Sequence, residues 1–288
     1  MGMKPLLLGI AAVFLVSSQY VASRTVFDDV SMFAALGARG ILAGVLLMAY
    51  FRKDYLRDYS VKALLWSIAA VALGYFGSSV LAIHSAAGIS SDWRILLSLT
   101  VPFWAYVFAL IAKQEARKPM ALAGLALILG AIAFRSYPHL ELNELFASSD
   151  PSIYLLSVLM LAGSYFFINK AIDQTSIGAA CISYLVLGGV AFRLLAPGQE
   201  QEIFNTFMAS SENVLYLLFD VILATGLGYF LTFKSIKELG VVKFTNLLFL
   251  APLFVMGIDY LWFGEGVESS QLIAGGVITL GVGLFQRA

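Results

Sequence analysis

Charge is scarce in this chain. Of its 288 residues only 12% are Asp, Glu, Lys or Arg, against about 25% in soluble domains. The 18 basic and 18 acidic residues cancel, so no net field draws the chain to a nucleic-acid backbone. Its single cysteine, Cys181, excludes an internal disulfide and a cysteine-based metal site. Two histidines, His84 and His139, lie too far apart for a zinc motif. No Gly-x-x-x-x-Gly-Lys-[Ser/Thr] run is present, which argues against ATP drive within the chain. A histidine cluster, a paired intramembrane Asp motif and a Ser–His pair that one cavity could hold are also missing. The chain is therefore not expected to be an enzyme, to bind nucleic acid, or to carry a cofactor or metal.

What is abundant is apolar surface. Residues of the AVILMFWYC set make up 60% of the chain, too many for a water-soluble globule of this size. A helix that crosses a bilayer needs about 20 apolar residues. Ten such segments can be traced: Pro5–Ser23, Val30–Phe51, Val61–Ile83, Ser91–Ala112, Pro119–Phe134, Ile153–Ala171, Ile177–Leu195, Val214–Phe233, Phe244–Phe263 and Gln271–Phe285. They are continuously apolar and lack the alternation of barrel strands, so they read as helices. The first segment has a second reading as a cleavable signal peptide, with Lys4 before the apolar run and Val21-Ala22-Ser23 after it. Cleavage would leave nine spans and break the repeat described next.

Basic residues orient the spans. Lys4, Arg52, Lys53, Arg57, Lys62, Lys113, Arg117, Lys118, Lys170, Lys234, Lys237, Lys243 and Arg287 fall on one side, and only Arg24, Arg135 and Arg193 on the other. The positive-inside rule then places both termini in the cytoplasm, in a bacterial-type cytoplasmic membrane. The loops around 135–152 and 196–213 fall outside and are acidic, with Glu141, Glu144 and Asp150 in one and Glu200, Glu202 and Glu212 in the other. They read as solvated connectors.

The two halves resemble each other at a shift of 150 residues. Pro102 falls on Pro252, Glu115 on Glu265, Leu97 on Leu247, Ser85 on Ser235 and Val71 on Val221. After one inserted residue, Ala123-Gly124 meets Ala274-Gly275 and Gly130 meets Gly281. Five helices per unit is an odd number, so the second unit starts on the opposite face. The expected fold class is all-α integral membrane: ten transmembrane helices as two inverted five-helix repeats around a central cavity. The expected division is residues 1–135, a connector at 136–152, and residues 153–288.

The tails of the two halves carry a further likeness. Val101-Pro102-Phe103 with Gln114-Glu115, and Ala251-Pro252-Leu253 with Gly264-Glu265, resemble the EamA-type repeat of the drug/metabolite transporter superfamily. So does Ala38-Arg39-Gly40-Ile41-Leu42-Ala43 in the second span. The resemblance covers essentially the whole chain. It implies secondary transport of small organic solutes, with the first, third and fourth helices of each half lining the cavity. The first half departs from the motif, having Gln114 where the second has Gly264.

A charge within a bilayer costs at least about 2.5–3.5 kcal/mol on insertion scales, so the ionisable residues in spans are the first candidates. Arg39 lies near the midplane of the second span. It could hold a substrate carboxylate, or clamp helix ends or an Asp; recurrence of such an Arg across the resembling family favours the clamp. Asp220 has Ala70 as its repeat counterpart, so the fold does not demand an acid there. It is a candidate for proton exchange or a substrate amine, with pairing to Arg39 as the structural alternative. Asp259 and His84 sit near outer helix ends and are weaker candidates. Asp92 and Arg94 open the fourth span and read as interfacial.

Pro102 and Pro252 fall mid-span and are expected to kink matched cavity-lining helices. Tyr75, Trp104 and Tyr229, with Asn246 as a polar neighbour, are candidates for an aromatic-walled pocket. Together these residues suggest an amino-acid-like cargo; the expected activity is export by alternating access, with protons as a candidate coupling partner, although the residues themselves do not fix direction or coupling ion. Uptake of a quaternary amine such as choline, or lipid flipping, is the alternative.

Overall fold

The computed structural model describes residues 3–25, 31–52, 60–115, 118–136 and 148–287. Lys53, Arg57 and Arg117 of the basic set lie outside the described residues. So do His139, Glu141 and Glu144, with most of the expected connector, and the side chains of Asp92, Arg135, Glu200 and Glu202. Every regular element among the described residues is helical.

Among the described residues, eight helices are long and apolar enough to cross a membrane. They are α1 (Met3–Thr25), α2 (Met32–Tyr50), α3 (Val61–Gly88), α6 (Asp150–Ile172), α7 (Ile177–Leu195), α9 (Ser211–Leu239), α10 (Val241–Phe263) and α11 (Ser269–Arg287). Two shorter apolar helices fall where the fourth and fifth spans were expected. One is α4, built from Ser91–Ser98 and Val101–Ile111; the other is α5, Pro119–Ser136. A surface helix, α8 (Glu200–Met208), sits in the second acidic loop. The helices start on recognisable caps. The hydroxyls of Ser60, Ser176 and Ser210 accept from the backbone N–H groups of Ala63, Ala179 and Asn213, satisfying donors that a helix start leaves open. α1 packs along α9, so the first segment is part of the bundle.

Packing is balanced between the halves. α2 lies against α7 and α5 against α11. α1 packs on α9, and its counterpart α6 packs on α3. α1 also meets α10, as α6 meets α4, and α4 and α10 touch each other. Both self-paired contacts depend on small residues that let backbones approach. A Cβ placed on Gly189 would lie 2.6 Å from the Ile41 nitrogen and 2.9 Å from the Gly37 carbonyl oxygen. In the α5–α11 seam, a Cβ on Gly124 would lie 2.6 Å from the Gly281 oxygen, and one on Gly281 would lie 2.8 Å from the Gly124 oxygen.

The regular helix is interrupted at matched places. α3 turns to π geometry at Gly74–Ser78 and α9 at Phe219–Leu227. α4 breaks between Ser98 and Val101, and α10 tightens to a 3₁₀ turn at Leu248–Leu250. The prolines follow these breaks. Pro102 and Pro252 each occupy the first turn of a new helical segment, where a missing N–H leaves no bond unmade. On the two helices expected to kink, the interruption lies just before each proline.

Candidate functional site

Of the three π segments among the described residues, Gly74–Ser78 and Phe219–Leu227 carry the central side chains, and the third, Asp259–Phe263, ends α10. A π turn inserts one extra residue and shifts which side chains face inward. In α3 it holds Tyr75, which is 5% exposed. Its hydroxyl donates to the Leu36 carbonyl at 3.0 Å. In α9 it holds Asp220, which is fully buried. Arg39 of α2 approaches Asp220, Nη1 to Oδ1 at 4.0 Å. Neither Asp220 oxygen accepts a hydrogen bond, and the Arg39 Nε finds no acceptor. The Tyr75 and Tyr229 hydroxyls are close enough to act on the Arg39 charge. Two charged residues that stood far apart in sequence therefore neutralise one another in the core, without the close geometry that would make the contact strong.

Around this pair lies an aromatic cluster. Tyr75 packs edge-on against Tyr184 at 5.6 Å, Phe192 at 5.6 Å and Tyr229 at 6.0 Å. Tyr184 also meets Tyr229 and Phe233. Gly188 makes the room: a Cβ there would run into the Tyr75 ring. Beside the cluster is an enclosed cavity of about 60 Å³, walled by Tyr165, Tyr184, Tyr229, Thr232 and Phe244 with apolar residues of α1 and α6.

A larger cleft of about 620 Å³ opens at one end of the bundle. Arg94, Ser98 and Leu99 of α4 line it, with Tyr154 of α6, Pro252, Val255, Met256 and Asp259 of α10, and Glu265 and Gln271 beyond. Arg24, at the end of α1, reaches two acids of this rim. Its Nη1 lies 3.2 Å from Asp259 Oδ1 and its Nη2 2.5 Å from Glu265 Oε1, while its guanidinium sits 4.3 Å over the Phe263 ring. Arg24 is 38% exposed, so solvent screens the pair and Arg24→Gln should leave the unfolding temperature nearly unchanged. Thermal unfolding of the purified variant checks this.

The candidates thus separate into groups. Arg39, Tyr75, Asp220 and Tyr229 come together at the centre. Pro252 and Asp259 line the large cleft. Trp104 packs beside Phe103 in a satellite cluster with α6, and its indole N–H has no partner. Asn246 is 1% exposed, with both amide atoms unpartnered, and lines neither cavity. His84 is exposed at the end of α3. Tyr184 and Arg94 were missed. Tyr184 gave no signal beyond its composition, whereas Arg94 announced itself as a charge within a span and was assigned to the interface instead.

The model of the EamA-like transporter family matches residues 3–137 and again 152–286. The chain belongs to the EamA-like transporter family, within the drug/metabolite transporter superfamily. A WAT1-related chloroplastic protein of Arabidopsis thaliana is 28% identical over 99 residues, covering 34% of this chain and 24% of that one. The match thus spans about a quarter of that relative's length. A solved crystal structure superposes with a TM-score of 0.76 at 14% identity, over 99% of this chain and 98% of the other, which speaks for the fold alone. By family and by its apolar helices, this EamA-like protein is an integral multi-pass membrane protein, and the members of its family are transporters rather than enzymes.

Proposed function

We propose that this EamA-like protein is a secondary transporter that exports small amphipathic metabolites, with amino-acid-like cargo, by alternating access. The units are residues 1–135 and 153–288, joined by a connector at 136–152. They form two inverted repeats of five spans each, with both termini in the cytoplasm of a bacterial-type membrane. In this reading the 620 Å³ cleft faces outward.

One observation carries the reading: the cleft has a collapsed twin. A cavity of about 10 Å³ is lined by Tyr106, Glu115, Ala121 and Lys243, among others. At the repeat shift, Tyr106 corresponds to Met256, Glu115 to Glu265 and Ala121 to Gln271, which all line the open cleft. An inverted pair of equivalent cavities, one open and one shut, is what a transporter needs in order to face one side at a time. The matched breaks before Pro102 and Pro252 lie on the helices that would move. The Arg39–Asp220 pair, set beside Tyr229 at the inner cavity, is a contact that cargo charge or a proton could loosen. The quaternary-amine reading fares worse, because the acid beside the aromatic cluster already faces Arg39.

Cysteine labelling tests the geometry. Cys181 is fully buried, so the native chain should resist a membrane-impermeant maleimide. Gly266→Cys should label from outside and Lys118→Cys only from the cytoplasmic side. Labelling of both from one face would remove the inverted arrangement. Liposome uptake and efflux of radiolabelled amino acids and amines tests the cargo, and failure of every amino acid would reject the cargo assignment.

A further inference from the structure

The ionisable groups of the open cleft are unequally satisfied. Asp259 and Glu265 are both held by Arg24. Ser98 and Tyr154 hydrogen-bond to each other at 2.8 Å, and Gln271 accepts from the Glu268 N–H at 3.0 Å. Arg94 stands apart. It is partly buried in the cleft wall, its Nε is shut off from solvent without an acceptor, and no ion pair reaches it among the described residues. Burying part of a guanidinium without a partner is costly. A cleft of this volume is ample for a small organic ligand, and its remaining wall is apolar: Leu99, Ala251, Pro252, Val255 and Met256.

We infer that Arg94 is the anion anchor of the cleft, and that the ligand bound there is an amphipathic molecule whose single anionic head meets this guanidinium while its apolar body lies along α10. A count of lining residues suggests an acidic cleft, but Arg24 brings the rim to two bases against two acids and holds both acids, which leaves Arg94 as the cation of the wall with no ion pair among the described residues. This assignment rests on the transporter reading, and it adds the charge of the cargo and the residue that selects it. Free carboxylates and anionic lipid headgroups share the required chemistry.

The probe is radiolabelled octanoate, with neutral octanamide as its isostere, measured by equilibrium dialysis against the full chain in phosphatidylcholine nanodiscs. Octanoate should bind at least about tenfold more tightly than octanamide, the usual scale for a hydrogen bond to a charged group. Arg94→Gln should abolish that preference. Arg94→Lys, which keeps the charge but not the planar fork, should retain part of it, and its retention shows that the cleft is folded. Adding phosphatidylglycerol separates the sources. Competition that disappears in Arg94→Gln marks a lipid head as the occupant, and absence of competition marks a soluble carboxylate; the anchor stands in both outcomes. Equal binding of octanoate and octanamide, or undiminished octanoate binding to Arg94→Gln, overturns it. Transport measured in parallel keeps the two readings apart. Solute transport that ignores Arg94 sinks the anchor alone, whereas Arg94-dependent binding with no transport of any solute sinks the transporter reading.

Discussion

Asp220→Asn should be among the most destabilising single substitutions in this protein, at about 3–5 kcal/mol. The variant leaves the Arg39 guanidinium in the core with its counter-charge gone, and no other acid approaches it among the described residues. Arg39→Gln should cost a similar amount for the mirrored reason, because Asp220 is fully buried with both oxygens unpartnered. The double variant removes both charges, so it should be considerably more stable than the summed single effects suggest. Unfolding of the four proteins in a denaturing detergent titration checks this. Small and additive effects would show that the two residues do not act as a pair. The same set separates clamp from coupling. If the double variant regains stability but not transport, the pair works in the cycle as well as in the fold.

Gly189→Ala should produce the second large effect. The added methyl would meet backbone atoms of α2 rather than the tip of a side chain, at 2.6 Å from the Ile41 nitrogen. Backbone cannot rotate away, so α2 and α7 must separate. Overpacking of this kind costs about 1–3 kcal/mol, and the upper end is expected because the whole seam shifts. Gly276→Ala is the control. Nothing lies within 4 Å of a Cβ at that exposed position of α11, and alanine favours helix over glycine by roughly 1 kcal/mol. That variant should be neutral or slightly more stable. Equal losses in both would mean that helix propensity, not the α2–α7 approach, controls glycine at these sites.

Much of the fold was readable because a bilayer leaves few options. Apolar runs of spanning length must become helices, and α1, α2, α6, α7 and α11 lie close to the edges expected for them. The fourth span was harder. Ser91–Ala112 reads as one apolar run, yet it breaks before Val101, since an interruption of one turn leaves hydropathy almost unchanged. Pro102 and Pro252 stand just after interruptions whose form the sequence did not give. A proline is equally compatible with a kink and with the first turn of a fresh segment, and only the backbone around it tells the two apart. The π turns of α3 and α9 carry no composition signal at all.

Composition and apolar spacing determined that this protein is a helical membrane protein, the resemblance of its half-tails named the family, and Arg39 and Asp220 stood out as ionisable residues within spans. Which charges met was decided in three dimensions. Arg39 and Asp220 are 181 positions apart in the numbering, and Arg24 finds Asp259 across the bundle. Pairing depends on how helices from opposite halves pack, and no local pattern encodes it. Arg94 shows the consequence: its sequence context matches that of an interfacial arginine, and its significance lies in the acids of the same cleft having been claimed by another residue.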